Sequence, residues 1–173
     1  MRWVGLVRNV MIGREGLHRD VLLQLLADAG AKDGRSHLAT GNLTFTAPER
    51  DVAGVVRRLE EGIAAVIGRP EPVVIRRHPW FQELVATDPF ASYDRAEWEL
   101  LVAFLPLQSP PIDPSRIGPV KGTVILRVSD HELIGARPAG GRAPHVLVLA
   151  ERAAGCKATS RGWSTVVRLS QVA

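Results

Sequence analysis

Shortages in this sequence close several classes of explanation. Cys156 is the only cysteine in 173 residues, which rules out an intrachain disulfide and any cysteine-built metal site. No apolar run approaches the roughly 18 residues needed to cross a bilayer. The apolar run near the start is too short for a signal peptide, and Arg8 ends it. The expected setting is therefore the cytoplasm, without a membrane partner. His18, His37, His78, His131 and His145 show no metal-ligand spacing, and Walker, Gly-x-Gly-x-x-Gly and Gly-x-Ser-x-Gly patterns are missing. No cofactor and no metal are expected. Lysine is scarce, with 3 residues against 19 arginines, a skew we read as coding bias.

What is present is ordinary for a globular chain: 46% apolar and 23% charged residues. The length suits one domain, or two very small ones. Charge is unevenly placed. Residues 1–126 hold 15 basic and 15 acidic side chains, whereas residues 127–173 hold 7 and 3, so the net +4 lies in the last 47 residues. Two readings stay open, an anion-facing surface and a solvated arginine-rich face.

Periodicity then organises the chain. Arg2–Arg8 reads as a strand, Asn9–Gly16 as a loop, and Leu17, Val21, Leu22, Leu25 and Leu26 as a helix closed by Gly30. Arg35–Thr40 and Leu43–Thr46 predict a tight hairpin about Gly41-Asn42. Thr46-Ala47-Pro48-Glu49 has the form of a capping box ahead of the stripe Val52, Val55, Val56, Leu59, Ile63, Val66, Ile67, which Gly68 ends. Pro72–Arg77 closes a βαββαβ series, the ferredoxin-like pattern of an antiparallel sheet under two helices. After a helix or turn at His78–Thr87, Trp98–Leu105 reads as a strand. Five prolines in residues 106–119 forbid a long helix there, though one turn at Pro114–Ile117 fits. A hairpin follows at Thr123–Val128 and Glu132–Ala136. His145–Ala154 mixes strand and helix signals, with Gly155 suited to a C-cap. A short strand at Lys157–Thr159 and a helix from Arg161 finish the chain. The fold class expected is α+β: two ferredoxin-like halves, residues 1–77 and 98–173, joined by a connector at 78–97, with a C-terminal helix.

Four motifs, in order, resemble one bacterial family, the domain of unknown function 1697. They are Arg8-Asn9-Val10-Met11-Ile12-Gly13, Thr40-Gly41-Asn42-Leu43-Thr44-Phe45, Asp88-Pro89-Phe90 and Thr159-Ser160-Arg161-Gly162-Trp163-Ser164-Thr165-Val166. The resemblance implies paired ferredoxin-like halves and no known activity. Family asparagines are replaced at Met11, Gly162 and Ser164, which implies weaker binding here of anything those amides hold in relatives.

Residues 156–169 concentrate one Lys, two Arg, one Trp and four hydroxyl side chains. On a helix from Arg161, Trp163, Val166, Val167 and Ser170 share one side and Arg161, Thr165 and Arg168 the other. Trp163 is expected to be a core anchor. Arg161 in a first helical turn would oppose the macrodipole by roughly 0.3–1 kcal/mol. An anion at a turn capped by Ser160 would reconcile the two charges, whether an internal carboxylate or a ligand. Lys157 and Arg8 would complete such a pocket if the first and last strands lie close. Asn9, Asn42, Thr159 and Thr165 are the further candidate ligand-binding residues. Asn42 is also expected to supply turn geometry, and Cys156 to be structural. Trp3 and Phe45 fit the core better than an RNA-stacking platform. The leading expectation is a non-enzymatic module for a small phosphate or carboxylate ligand. Nucleic-acid phosphate is the less favoured partner. A small cofactor-free enzyme with Arg161 as clamp, and a structural or self-associating protein, remain the alternatives. Oligomeric state is not legible.

Overall fold

In a computed structural model, which describes residues 1–172, the chain is mixed α+β, with two four-stranded antiparallel sheets and five α-helices. It divides into two compact units, Met1–Trp80 and Phe81–Gln171.

The first unit runs β1 (Arg2–Val7), α1 (Arg19–Asp28), β2 (Lys32–His37), β3 (Asn42–Thr46), α2 (Val52–Ile67) and β4 (Val73–Arg77). Its strands lie in the order β2-β3-β1-β4. Five consecutive buried residues in β1 mark a strand covered on both faces, as its unbroken apolar sequence requires. Trp3 and Val7 join Leu22, Leu26, Val55, Leu59 and Ile63 in one core between sheet and helices. The Trp3 indole nitrogen donates to the Ala47 carbonyl at 3.1 Å, which satisfies its one polar atom.

The second unit opens within α3 (His78–Thr87) and continues β5 (Trp98–Phe104), β6 (Val124–Val128), β7 (Glu132–Pro138), α4 (Val146–Ala154), β8 (Thr159–Gly162) and α5 (Trp163–Gln171). Strand order is β6-β7-β5-β8. Between β5 and β6 the proline-rich stretch holds only the 3-10 turn Pro114–Arg116. Leu101, Ala103, Leu133, Val146, Leu149 and Ala150 form its core. Trp163 is buried edge-to-face against Phe90, with centroids 5.1 Å apart, so it acts as the core anchor expected of it.

Several expectations need correction. Thr46 stays in β3, and α2 starts at Val52 behind Asp51, whose side chain makes no cap bond. Pro48 and Asp51 close a turn, and Glu49 is drawn off to Arg77, so there is no capping box. β2 begins three residues before Arg35 because a bulge at Asp33-Gly34 lets Lys32 pair with Thr46. The hairpin loop is Leu38–Gly41, with positive φ at Leu38 (61°) and Gly41 (67°), so Asn42 is a strand residue. His145–Ala154 resolves as helix because the His145 imidazole caps it, accepting from the Leu147 amide, and Gly155 ends it left-handed. On α5 the fully buried apolar side is Trp163, Val166 and Leu169, with Val167 half-buried.

Candidate functional site

The C-terminal turn is not built as its spacing predicts. Thr159–Gly162 is a strand, and the helix starts two residues beyond Arg161. Pairing of Phe104 with Thr159 and Val102 with Arg161 extends the sheet and satisfies backbone groups that a helix start would leave open. Alternation then turns Thr159 and Arg161 to the same side, where both are buried. The Arg161 guanidinium donates to Thr159 Oγ1 at 2.8 Å and to the Ser160 carbonyl at 2.7 Å. Burial pulls its pKa down to about 10, still cationic at neutral pH. Arg161 therefore braces an edge strand and does not cap a helix. Lys157 is exposed and Thr165 half-buried. β1, which precedes Arg8, and β8, which follows Lys157, belong to different sheets.

At the other end of the chain, the loop between β1 and α1 carries a denser construction. Asn9 (φ 49°) and Glu15 (φ 54°) are left-handed without being glycine, a conformation that costs roughly 1–2 kcal/mol per residue and less for Asn. Both are pinned from the segment after α2. The Asn9 amide donates to Glu71 Oε1 at 3.0 Å, while the Arg8 guanidinium donates to Glu71 Oε2 at 3.1 Å. Arg69 donates to the Asn9 carbonyl (3.1 Å), to Glu71 Oε1 (3.2 Å) and to both carboxylate oxygens of Glu15. Glu71 is buried, yet its pKa lies below the ordinary value. Burial acts to raise it, and the donors Asn9, Arg8 and Arg69 together outweigh burial. Hydrogen bonding to Glu15 likewise holds Arg69 firmly charged and Glu15 ionised.

This clamp shapes an open cleft of about 480 Å³, lined by Asn9, Val10, Met11, Arg14, Glu15 and Arg69. Its cations are differently engaged. Arg69 is spent on Glu15, Glu71 and Asn9, whereas the exposed Arg14 guanidinium has no hydrogen bond or ion pair among the described residues. Arg14 thus offers an uncommitted fork beside the apolar walls of Val10 and Met11. Of the residues singled out from sequence, Arg8 and Asn9 belong to this construction. Asn42 braces the hairpin beside it. Its amide donates to the His37 carbonyl (3.1 Å) and Thr40 Oγ1 (3.0 Å), and the neighbouring Gly41 carbonyl accepts from Val7. Arg14, Glu15, Arg69 and Glu71 were not singled out. Their only signal is the charged pair Arg69 and Glu71 directly after the helix-ending Gly68.

No group of His, Cys, Asp and Glu among the described residues is arranged to hold a metal ion. No helix among them is long and apolar enough to cross a membrane.

Comparison with known proteins gives a family and a solved structure to which the chain is similar. A family model described as a protein of unknown function (DUF1697) matches residues 1–123. That span includes the Arg8–Gly13, Thr40–Phe45 and Asp88–Phe90 motifs and stops short of Thr159–Val166. A solved structure described as the conserved bacterial protein SP0830 from Streptococcus pneumoniae is similar over 98% of this chain and 96% of that one, with TM-score 0.70 and 18% identity. At that identity the likeness establishes the fold alone. No curated protein matches.

Proposed function

The chain belongs to the DUF1697 family of proteins of unknown function, and from that premise we propose that it is a non-enzymatic binding module for a small anionic ligand bearing a phosphate or carboxylate group. The ligand sits in the cleft of the β1–α1 loop. Arg14 grips the anionic group, Val10 and Met11 flank its apolar part, and Arg8, Asn9, Arg69 and Glu71 hold the loop in shape. The observation carrying this reading is the strained loop itself. Two non-glycine residues at positive φ persist only where surroundings over-determine them, and such strain clusters at ligand clamps. Here a buried carboxylate and two arginines do the over-determining, and the guanidinium left uncommitted faces the cleft. The reading moves the anion site away from Arg161, because a side chain buried in a strand presents no fork to solvent. Within it, each half takes the ferredoxin-like pattern, supported by the strand orders β2-β3-β1-β4 and β6-β7-β5-β8, and the protein works in the cytoplasm.

A thermal-shift screen of nucleotides, phosphosugars and small carboxylates tests the proposal. A ligand that binds only the folded state at a hundredfold excess over its Kd adds about 2.7 kcal/mol and raises the midpoint. We expect at least one compound to do so, and Arg14→Ala to abolish the shift while leaving the unliganded midpoint in place. Shifts that survive Arg14→Ala, or a screen without any shift, reject the cleft as the site.

A further inference from the structure

We propose that the outer edge of the first sheet carries a second anion site, separate from the cleft, in which Arg2, Arg19, Arg35 and His37 together hold a phosphate-type oxyanion of a small molecule. The placement follows from strand register. Arg35 on β2 lies opposite Thr44 on β3, and His37 lies opposite Asn42. Arg2 lies opposite Thr46 on the far side of the same strand. Its guanidinium reaches back across β3, donating to Thr44 Oγ1 at 2.8 Å and to the Asp33 carbonyl at 3.0 Å. The Thr44 hydroxyl also meets His37 Nε2 at 2.9 Å. The Thr44 oxygen has two lone pairs and one proton, so which of Thr44 and His37 Nε2 donates follows the tautomer of the ring.

The arrangement gathers like charges without a matching acid. His37 titrates below its ordinary range because of burial first, and then because Arg2, Arg35 and Arg19 repel a proton on it. Arg2 is lowered by burial and by Arg35, with Asp33 the one acid opposing. No acid counters the three arginines at His37. Arg19, just beyond the N-cap of α1, and Arg35 are exposed, and neither guanidinium makes a hydrogen bond or ion pair among the described residues. The uncommitted Arg35 fork therefore stands beside a committed guanidinium and an imidazole, with Arg19 adding positive charge, a set that a further negative charge relieves. A phosphate dianion matches it better than a carboxylate does, because it brings more charge and a third acceptor oxygen to planar donors. This site shares no residue with the cleft, so either reading can fail alone.

The test is an NMR titration of the five histidine rings of the full chain in millimolar inorganic phosphate, against sodium chloride of equal ionic strength. We expect phosphate to raise the His37 pKa towards its ordinary value while chloride does not. Arg35→Gln should weaken phosphate binding about tenfold, as loss of one charge-assisted hydrogen bond implies, and Arg14→Ala should leave it unchanged. A phosphosugar arm identifies the source of the oxyanion: binding tighter than inorganic phosphate assigns a phosphomonoester, and equal binding assigns the free ion. An equal rise in chloride overturns the proposal, since screening alone would then explain it. So does an Arg35→Gln chain that binds as the parent does. A short single-stranded oligonucleotide that binds far more tightly, with steep salt dependence, replaces the small ligand with nucleic acid.

Discussion

Glu71 shows how much one residue carries. Its carboxylate is buried, takes three donors and fixes Asn9 at φ 49°. Removing one partner of a buried charge cluster leaves the others unsatisfied, a cost of several kcal/mol when fully desolvated. Arg69 is partly exposed and water screens that side. Glu71→Gln should therefore lower stability at pH 7 by about 2 kcal/mol in urea denaturation. The parent chain also predicts its own pH dependence. The folded pKa of Glu71 lies below the unfolded value near 4.3. Its contribution is thus fully present above that value and drains away as pH falls through the folded one. The variant should lose less stability than the parent over that acid window; equal losses would mean that Glu71 is not the group titrating. None of this was legible beforehand. Glu71 meets Arg8 and Asn9 across more than sixty residues of chain, and spacing along a sequence carries no trace of contacts closed by folding.

At the scale of elements, legibility followed periodicity. Every position of the predicted α2 stripe is buried or half-buried, and the helix ends at Gly68 in the left-handed form. A Cβ added there meets nothing within 4 Å. Gly68→Ala should therefore cost only the conformational term, about 1 kcal/mol, seen as a lower midpoint with unchanged structure. Caps were less legible, because a capping side chain is defined by where the helix begins. The Thr46 pattern failed on that point, and His145 went unrecognised. Its Nδ1 accepts from the Leu147 amide only while neutral. Burial first, and Arg137 second, hold its pKa below the ordinary value, with Glu99 opposing. The folded value then lies below the unfolded one near 6.5, so this contribution is complete above 6.5 and is lost as pH falls towards the folded value. His145→Asn keeps a capping oxygen and removes the titration. Its thermal midpoint should drop less than the parent's between pH 7.5 and pH 5.5, while His145→Ala should cost about 1 kcal/mol at either pH.

The whole molecule repeats one plan without repeating its sequence. Adding four to each strand number turns β2-β3-β1-β4 into β6-β7-β5-β8. The central Val4 pairs with Thr44 and Arg76, and the central Val102 pairs with Ile134 and Arg161. A buried arginine thus stands at the same place on the outer strand of each sheet, and a helix follows directly in both. The duplication was readable as an order of strand and helix signals, because alternation and helical spacing survive when residue identities do not. The missing first helix of the second unit was readable too, from its prolines. What could not be read was the role of Arg161. An arginine beside Ser and Thr looks like an anion site on a helix end and like a framework residue on an edge strand, and two residues of register decide between them. The framework role makes a prediction that separates the two. Arg161→Ala strips the buried stem and leaves Thr159 Oγ1 and the Ser160 carbonyl without the donor they now share. Stability should fall by about 3 kcal/mol, while phosphate and cleft ligands bind the folded variant as they do the parent. An Arg161→Ala chain as stable as the parent but defective in ligand binding would return the site to the C-terminal turn. The expected outcome keeps both anion sites in the first unit, although the excess positive charge of the sequence lies in the last 47 residues. Net charge counts every cation alike, and binding depends on those that the fold leaves uncommitted.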